Sequence, residues 1–275
     1  MTGPTKKPYI SPSQINTYTT CAEAWRRRYV EKHIIPPGVA ELRGTSVHRG
    51  AEVNAVQKMK SHEDLSASDI MAAAASAFDD NVNAQGVMLS EEEESVGKDK
   101  VLGEAKDLAV GMAHVFAKDV APSVQPTAVE LTQEISLPES THDLKGIVDV
   151  IDDAENVRDI KTSSKAKSQS DWDANGQLTF YALTYRAKFG KDPKAVIVDQ
   201  LIGKKKGIEY VPVVTSRTVA DYKPLVHRIN SVIAGINAGV FVPAPTGSWK
   251  CSPKWCGYWN SCLYVNNERK AAIQE

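Results

Sequence analysis

The sequence lacks the features of several protein classes. No apolar run approaches the roughly 20 residues that a helix needs to cross a bilayer. Residues 1–8 contain no apolar segment of the kind found in a secretory signal peptide, so we expect a reducing, intracellular environment. The chain also has no Gly-x-x-x-x-Gly-Lys-Ser/Thr loop, which argues against an NTP-driven motor.

Net charge is small as well. The 33 basic and 34 acidic residues leave a net charge of −1, so nucleic-acid binding cannot be inferred from bulk charge and would have to come from local patches. Each candidate patch is also compatible with an ordinary solvated surface. The candidates are residues 26–28 (three arginines), the run Lys161, Lys165 and Lys167, and residues 204–206 (three lysines).

Cysteine is scarce. The chain has four cysteines, Cys21 near its start and Cys251, Cys256 and Cys262 in a C-x4-C-x5-C pattern near its end. A reducing environment disfavours disulfides and favours metal binding. Structural zinc sites usually show a close cysteine pair in each half of the site, whereas Cys21 stands alone. From the residues, an iron–sulfur cluster, zinc and buried free thiols all remain open.

What the chain does have is an unusual hairpin. Residues 146–151 and 157–161 read as strands, and the five residues between them are turn formers. If the facing ends of the strands pair, Asp149 lies opposite Asp159 with β-carbons about 4.5–5.5 Å apart, and Lys161 follows on the same face. Like charges in this position are destabilising unless a cation lies between them, and oxygen ligands suit Mg²⁺ or Mn²⁺. The alternative is a solvated acidic face.

Two further motifs flank this hairpin. Thr45 or Ser46 is a suitable N-cap for a helix that carries His48 in its first turn. Gln177 and Tyr181 stand four residues apart, so they share one face of a predicted helix.

Around these motifs the chain predicts helices and strands in alternating groups. Ser11 and Pro12 are typical of a helix start, and Pro224 is expected to interrupt a helix over 219–238. Strands flanked by helices on both sides indicate a mixed sheet in an α/β/α arrangement. Helices are predicted over 22–32, 69–82 and 98–118, and strands over 129–137, 195–202 and 208–214.

In order, these motifs resemble those of the PD-(D/E)XK nuclease superfamily. The likeness is greatest to the RecB-like branch of iron–sulfur exonucleases, of the CRISPR-associated and bacteriophage-encoded type. That branch carries a helix-borne histidine, a Gly-x-x-Asp strand, an acidic-x-Lys strand and a Gln-x-x-x-Tyr helix. The resemblance covers residues 11–262 apart from 61–120. This chain supplies the motifs as His48, Gly146 to Asp149, Asp159-Ile160-Lys161, and Gln177 to Tyr181.

The resemblance implies an α/β fold with a restriction-endonuclease-like α/β/α core around a mixed sheet. We expect N-terminal helices with Cys21 and His48 over residues 1–60 and a helical region over 61–120. The nuclease core would span 121–240, and an iron–sulfur segment 241–275.

The resemblance also implies roles for individual residues. The carboxylates would hold the divalent ion, and Lys161 would orient or deprotonate the attacking water, or stabilise charge on the phosphate. Glu130 matches an acidic residue that often precedes the Gly-x-x-Asp strand, although a structural role fits it equally well. The implied sets are Asp149, Asp159 and Lys161 for catalysis; His48, Asp149, Asp159 and the backbone carbonyl of Ile160 for the metal; Cys21, Cys251, Cys256 and Cys262 for a [4Fe–4S] cluster; and Gln177 and Tyr181 for DNA positioning.

The expected function is that of a Mg²⁺- or Mn²⁺-dependent DNA exonuclease. It would act on single- or double-stranded ends in recombination, repair or replication, in the cytoplasm of a bacterial or phage-infected cell. A recombinase or helicase is an expected partner, and no membrane is involved. One alternative is a non-catalytic DNA-end-binding or adaptor module with the same fold. Another is a zinc-stabilised RNA-processing enzyme.

Overall fold

The predicted strands pair into one sheet in the computed structural model, which describes residues 7–245 and 247–265. The ends of the first and last predicted segments, 1–6 and 266–275, lie outside the described residues. Within the described chain the sheet has six strands: β1 (Tyr9–Ile10), β2 (Pro126–Ile135), β3 (Asp143–Asp152), β4 (Val157–Ser163), β5 (Val196–Lys204) and β6 (Gly207–Thr215).

The sheet is mixed, and it opens at one point. The strand order is β1-β3-β4-β5-β6, and β2 also pairs with β3. The β1–β3 and β4–β5 pairs are parallel, and the β2–β3, β3–β4 and β5–β6 pairs are antiparallel. The β3–β4 ladder consists of two pairs, Val150–Arg158 and Ile151–Val157. The Ile151–Val157 pair is the register that the hairpin predicts. Beyond the Val150–Arg158 pair β3 and β4 separate, and we call this opening the fork; Asp149 and Asp159 are its first residues.

Helices cover both faces of the sheet, which confirms the predicted α/β/α architecture. Ile15, Phe180 and Ile229 belong to the apolar core on one face, and Leu42, Ile70 and Met112 to the core on the other. Burying one such side chain contributes roughly 1.5–3 kcal/mol. The first layer contains α1 (Pro12–Thr20), α8 (Gly176–Phe189) and α9 (Val219–Asn237); the second contains α3 (Val39–Ser61), α4 (Ala67–Gln85) and α6 (Lys98–Val115).

Shorter elements connect these layers. α6 continues into a π turn, Phe116–Val120, and a 3₁₀ turn, Ala121–Ser123. The acidic run after Ser90 starts a helix with a complete capping box. The described helices include none that is long and apolar enough to cross a membrane. The short helices are α2 (Ala22–Tyr29), α5 (Glu91–Val96), α7 (Gln169–Asp173) and a 3₁₀ turn over Trp259–Ser261.

The predicted start of the histidine-bearing helix is wrong. Thr45 and Ser46 are not caps, because α3 begins one residue after Gly38 and both hydroxyls donate to backbone carbonyls four residues earlier. The helix-breaking residues Pro36-Pro37-Gly38 directly precede α3, whereas Gly44 lies inside it. An added Cβ on Gly44 would come within 3.2 Å of Thr162 Oγ1. His48 is therefore held in the third turn of a long, well-packed helix.

Two other expectations about helices also change. α2 ends at Tyr29, three residues earlier than predicted. α9 is continuous through Pro224, which lies in its second turn and therefore removes one backbone hydrogen bond without ending the helix. Ser11, by contrast, caps α1 as predicted by accepting from Gln14 N–H.

A buried ion network holds the strand that carries Asp159 from the opposite face. Arg158 donates to both carboxylate oxygens of Asp199, at 3.0 and 2.7 Å, and Tyr210 donates to the same carboxylate at 2.7 Å. Both charged side chains are almost fully buried. Because neighbouring residues of a strand face opposite ways, this network fixes β4 to β5 and β6 without occupying the face of Asp159.

Candidate metal centre and nucleic-acid interface

The two hairpin carboxylates lie at the fork between β3 and β4. Asp149 Oδ2 accepts the backbone N–H of Ile160 at 2.9 Å, across the gap where the ladder has ended. A residue's N–H and C=O point to the same side of a strand, so the Ile160 carbonyl also faces this gap. Asp159 is 1% exposed and lies beside Lys161, whose Nζ is 2.8 Å from Oδ1 and 2.7 Å from Oδ2.

One carboxylate oxygen of Asp159 can still accept a hydrogen bond or bind a cation. Lys161 donates a directed hydrogen bond to Oδ1, while the fully buried Oδ2 receives none from the described residues. Buried polar atoms are rarely left in this condition. An inward-facing carboxylate oxygen of this kind suits a cation.

Glu130 reaches the same place through a strained backbone. Its φ of +46° lies in the left-handed region, in the middle of β2. In the β2–β3 register Val129 faces Val150 and Leu131 faces Val148, while the pair that would join Glu130 to Asp149 is missing. Strain of this kind costs about 1–3 kcal/mol and concentrates at functional sites. Here it interrupts, in both β2 and β3, the regular alternation of side chains between the two faces of the sheet, at the point where Glu130 and Asp149 meet.

His48, Glu130 and Asp149 form a group that fits a metal ion. Each offers one ligand atom, and these atoms all lie within 4.8 Å of one another. Ligands on opposite sides of Mg²⁺ lie about 4.2 Å apart, so the spacing is suitable. His48 Nδ1 is 3.3 Å from Asp149 Oδ2. Glu130, the weaker candidate from the sequence, is thus central to this group, while Asp159 borders it.

The electrostatics of the site reflect crowded negative charge. Desolvation and the charge of Asp149 raise the pKa of the Glu130 carboxyl to about 7, although its side chain is exposed. Burial, opposed by Lys161 and reinforced by Asp149, raises the pKa of Asp159. Burial lowers the pKa of Lys161, but Asp159 and Asp149 outweigh it, so the net shift is upward and the ammonium stays protonated. A bound divalent ion would relieve this repulsion.

The Gln-x-x-x-Tyr motif lies in the first two turns of α8, and its tyrosine is close enough to the carboxylates to feel their charge. Gln177 Nε2 donates to the hydroxyl of Tyr181 at 2.7 Å. Burial and the charges of Asp159 and Asp149 raise the pKa of Tyr181, so its hydroxyl remains neutral. Tyr181 is 5% exposed, which leaves the half-buried Gln177 as the member of the pair that is accessible to a substrate. Gly146 allows the close approach of α8, because a Cβ there would lie 3.0 Å from Phe180 Cε1.

The four cysteines meet at a second location. All line one cavity of about 690 Å³ between α1, α2 and the C-terminal segment. Burial raises the pKa of the Cys256 thiol, the backbone of Tyr258 opposes this, and the other three thiols add to the rise. Within the described chain no three of these sulfur atoms lie within 4.8 Å of one another. The fold therefore joins the two distant ends of the sequence at one thiol-lined cavity.

Contacts independent of the thiols also hold this segment. Arg27 donates to the hydroxyl and the carbonyl of Ser261, both at 2.8 Å, and pairs with Glu23. Tyr258 donates to the His33 carbonyl at 2.7 Å. The C-terminal segment is thus docked on α2 by hydrogen bonds as well as by the convergence of the cysteines.

The candidate basic patches differ in whether their side chains form ion pairs or line a cavity near the carboxylates. Arg26 and Arg27 are engaged in ion pairs with Glu23, and Lys204 at the end of β5 pairs with Glu209 of β6. Lys161 and Lys167, in contrast, line a polar cavity of about 440 Å³ next to the carboxylates. Arg228 of α9 lines it too. No sequence motif marks this arginine, because only the packing of α9 brings it near β4.

Comparisons with known proteins agree with this architecture. The family profile described as the PD-(D/E)XK nuclease superfamily matches residues 9–263. A crystal structure from Eubacterium rectale, described as "Putative exonuclease", aligns with a TM-score of 0.56 at 11% identity, covering 88% of this chain and 86% of that one. At this identity it speaks for the fold alone.

A further solved structure, described as SSO0001, has a TM-score of 0.43 at 15% identity and covers 97% of this chain and 91% of that one. This likeness is too weak to add to the argument. No curated protein matches the chain. The family match spans nearly the whole sequence and includes every motif of the fork, and so the chain belongs to the PD-(D/E)XK nuclease superfamily.

Proposed function

We propose that this protein is a divalent-metal-dependent deoxyribonuclease that hydrolyses phosphodiester bonds at DNA ends. The observation that carries the proposal is the fork between β3 and β4. There, His48, Glu130 and Asp149 come within metal-ligand spacing of one another, beside the buried Asp159 and its half-buried partner Lys161. The family match supports hydrolysis of nucleic acid as the chemistry. Action at ends, as an exonuclease, is the finer part of the proposal.

His48, Asp149, Asp159 and the carbonyl of Ile160 would hold the ion, and the geometry adds Glu130 to that set. Bound Mg²⁺ or Mn²⁺ supplies Lewis acidity and lowers the pKa of a coordinated water. Asp159 Oδ2 is buried, lies 2.7 Å from the Lys161 ammonium and receives no directed hydrogen bond from the described residues, so it could also contribute to binding the ion.

Lys161 acts as a cation in this proposal. Its raised pKa and its contact with Asp159 keep the ammonium charged in the metal-free protein, which favours orienting water or stabilising phosphate charge over removing a proton. Gln177 would contact the DNA backbone, and the buried Tyr181 would fix the Gln177 amide through their hydrogen bond.

The experiment is a cleavage assay on end-labelled single- and double-stranded DNA, with EDTA, Mg²⁺ or Mn²⁺. Asp159→Asn should lower the rate at least about 100-fold, since even groups that only support a metal ligand are worth 10–100-fold. Asp153→Asn is the matched control, because this exposed carboxylate lies in the same hairpin, away from the fork. Metal-dependent digestion by Asp159→Asn at the wild-type rate would sink the assignment, and a wild-type protein that binds DNA without cleaving it would favour the adaptor alternative.

The roles of the other site residues can be distinguished by comparing each variant's cleavage rate with its Mn²⁺ affinity. Asp149→Ala should lose both Mn²⁺ affinity and cleavage, whereas Lys161→Ala should lose cleavage and keep Mn²⁺ affinity. Gln177→Ala and Tyr181→Phe should lower cleavage more than Mn²⁺ affinity measured by calorimetry. If affinity fell as far as activity, Gln177 and Tyr181 would belong with the metal ligands.

We also propose that the four cysteines hold a structural [4Fe–4S] cluster. Structural zinc sites usually carry a close cysteine pair in each half of the site, whereas Cys21 stands alone in the sequence, which favours a cluster. The site lies apart from the fork, so its contribution is to hold α1, α2 and the C-terminal segment together.

Anaerobically purified protein should be brown and contain about four irons per chain. Cys21→Ser should bleach the colour and lower the melting temperature, while Thr20→Val, which alters the same cavity wall without removing a thiol, should retain iron. Colourless protein with one zinc and no iron would overturn the cluster and leave the nuclease proposal intact. The setting in recombination, repair or replication, and a recombinase or helicase partner, stay predictions.

A further inference from the structure

A strip of the sheet next to the metal group is exposed. Ile147 of β3 is 44% exposed and Tyr9 of β1 is 48% exposed, although both belong to strands of the sheet. Their neighbours on the opposite face, Leu144 and Val148, are buried in the core of the first helix layer. Because side chains alternate along a strand, Ile147 faces the side of α3, and the second helix layer leaves it largely uncovered.

Tyr9 and Lys145 lie on the same face as Ile147. The ammonium of Lys145 lies 5.3 Å from the centroid of the Tyr9 ring, and Lys145 precedes Ile147 by two residues. Thr132 and Glu134 of β2 pair with Ile147 and Lys145, and both are exposed. These five side chains form one surface, which we call the sheet platform.

The platform is continuous with the metal group. Asp149 follows Ile147 by two residues, and its carboxylate faces His48 of α3, so both side chains point to the α3 side. A strand rises about 3.4 Å per residue, which places Ile147 roughly 7 Å from Asp149 along β3. Lys145, with the Tyr9 ring beside it, follows after another two residues. A nucleic-acid strand also rises about 3.4 Å per stacked nucleotide, so the nucleotides next to a phosphate at the metal group reach the platform.

The charges of the platform select the part of a nucleotide that binds there. Lys145 Nζ lies 3.2 Å from Glu134 Oε1, so the charge of the lysine is balanced within the platform. Glu130 adds a further carboxylate on the side of the metal group. Such a surface does not attract phosphates, whereas an exposed tyrosine ring beside an apolar side chain suits the flat face of a base. The platform therefore fits the bases of a strand and not its backbone.

We propose that the sheet platform holds the bases next to the scissile phosphate, with one base packed on Ile147 and the following base stacked on the ring of Tyr9. The inference rests on the proposed nuclease function and names the part of the substrate that this face binds. Tyr9 and Ile147 are thus positioning residues, since neither reaches the reacting atoms. Because every base has a π face, the platform positions a strand without reading its sequence.

The test measures the contribution of single bases to binding, in EDTA so that cleavage does not interfere. Fluorescence anisotropy would compare a labelled single-stranded oligonucleotide with versions that carry one abasic site at successive positions from each end. Wild type would be compared with Tyr9→Ala, Tyr9→Phe and Ile147→Ala. Val214→Ala is the control, because Val214 is 59% exposed in β6, at the opposite edge of the sheet.

Tyr9→Ala should weaken binding roughly tenfold, a typical effect of removing one aromatic side chain from a stacked base. The slope of log K against log salt should stay unchanged, because no phosphate contact is lost. Tyr9→Phe and Val214→Ala should bind like wild type, and Ile147→Ala should show a smaller loss. In wild type, one abasic position should weaken binding about as much as Tyr9→Ala does, and in Tyr9→Ala that position should no longer matter.

Three results would overturn the platform. They are a shallower salt slope in Tyr9→Ala, abasic sites that weaken wild type and Tyr9→Ala equally, and wild-type affinity in both Tyr9→Ala and Ile147→Ala. If these two variants bound DNA like wild type but formed a smaller species in size-exclusion chromatography, the face would instead be a contact between copies of the chain. Base-dependent binding by a wild-type protein that shows no metal-dependent cleavage would overturn the nuclease function and leave the platform standing.

Discussion

Glu130 should destabilise the metal-free protein and stabilise the metal-bound one, so Glu130→Gln should shift stability in opposite directions under the two conditions. Folding raises the pKa of this carboxyl from 4.5 to about 7, chiefly by desolvation and by the charge of Asp149. The folded state therefore binds a proton that the unfolded state has released, and stability falls as pH rises between these two values.

The size of the effect follows from that rise. At about 1.36 kcal/mol per pKa unit, the rise in pKa can destabilise the folded, metal-free protein by at most roughly 3 kcal/mol above pH 7. Because the Glu130 side chain is exposed, solvent screening should reduce the effect to about 1 kcal/mol. In EDTA at pH 8, Glu130→Gln should thus melt roughly 2–4 °C above wild type. At pH 4.5 the unfolded carboxyl is half protonated, and the difference should nearly vanish.

Mn²⁺ should reverse the order. A ligand at 100 times its dissociation constant stabilises the folded state by about 2.7 kcal/mol, and removing one carboxylate ligand should forfeit most of this. Differential scanning calorimetry would measure the difference in melting temperature between Glu130→Gln and wild type under three conditions. These are EDTA at pH 8, EDTA at pH 4.5 and Mn²⁺ at pH 8. Glu91→Gln, on the exposed start of α5, serves as the control. The reasoning fails if Glu130→Gln melts like wild type in EDTA at pH 8, or if Mn²⁺ stabilises both proteins equally.

Two further predictions concern packing. Gly146→Ala should lower the free energy of unfolding by about 1–3 kcal/mol in urea titrations, since the new methyl meets Phe180 at 3.0 Å in a filled core. Gly103→Ala, in α6 with open space around it, should instead raise the free energy by about 0.5–1 kcal/mol; the same sign for both would refute the steric explanation. Arg27→Gln should increase protease cleavage after α9, because it breaks both hydrogen bonds to Ser261. Unchanged cleavage kinetics would show that the docking has other support.

The sequence was sufficient for five of the six described strands and for the register of the central hairpin, but β1 was not predicted. Alternating apolar residues and a five-residue turn specify the Ile151–Val157 pair, because a one-residue slip would expose a core face. The motif order also predicted the family that the profile match confirms. These inferences succeed because strand periodicity and residue order are local properties of the chain.

The rest depends on contacts that have no local pattern. The left-handed backbone of Glu130 arises where β2 crosses the fork, so its place beside His48 could not be read from a strand pattern. Arg228 reaches the cavity only through the packing of α9. The start of α3 was misplaced because a glycine that permits close helix–strand packing looks like a helix breaker.

The ion network behind β4 makes two positions of the sequence depend on each other. Removing Arg158 alone would leave Asp199 as a buried carboxylate without its cation, at a cost of about 3–5 kcal/mol, and removing Asp199 alone would leave Arg158 with only the longer, 3.5 Å contact to Asp152. Exchanging both Arg158 and Asp199 for apolar residues of similar volume is often neutral. Either single substitution is therefore selected against, most strongly the loss of Arg158. Among natural relatives, these two positions should change together or not at all, even though 41 residues separate them.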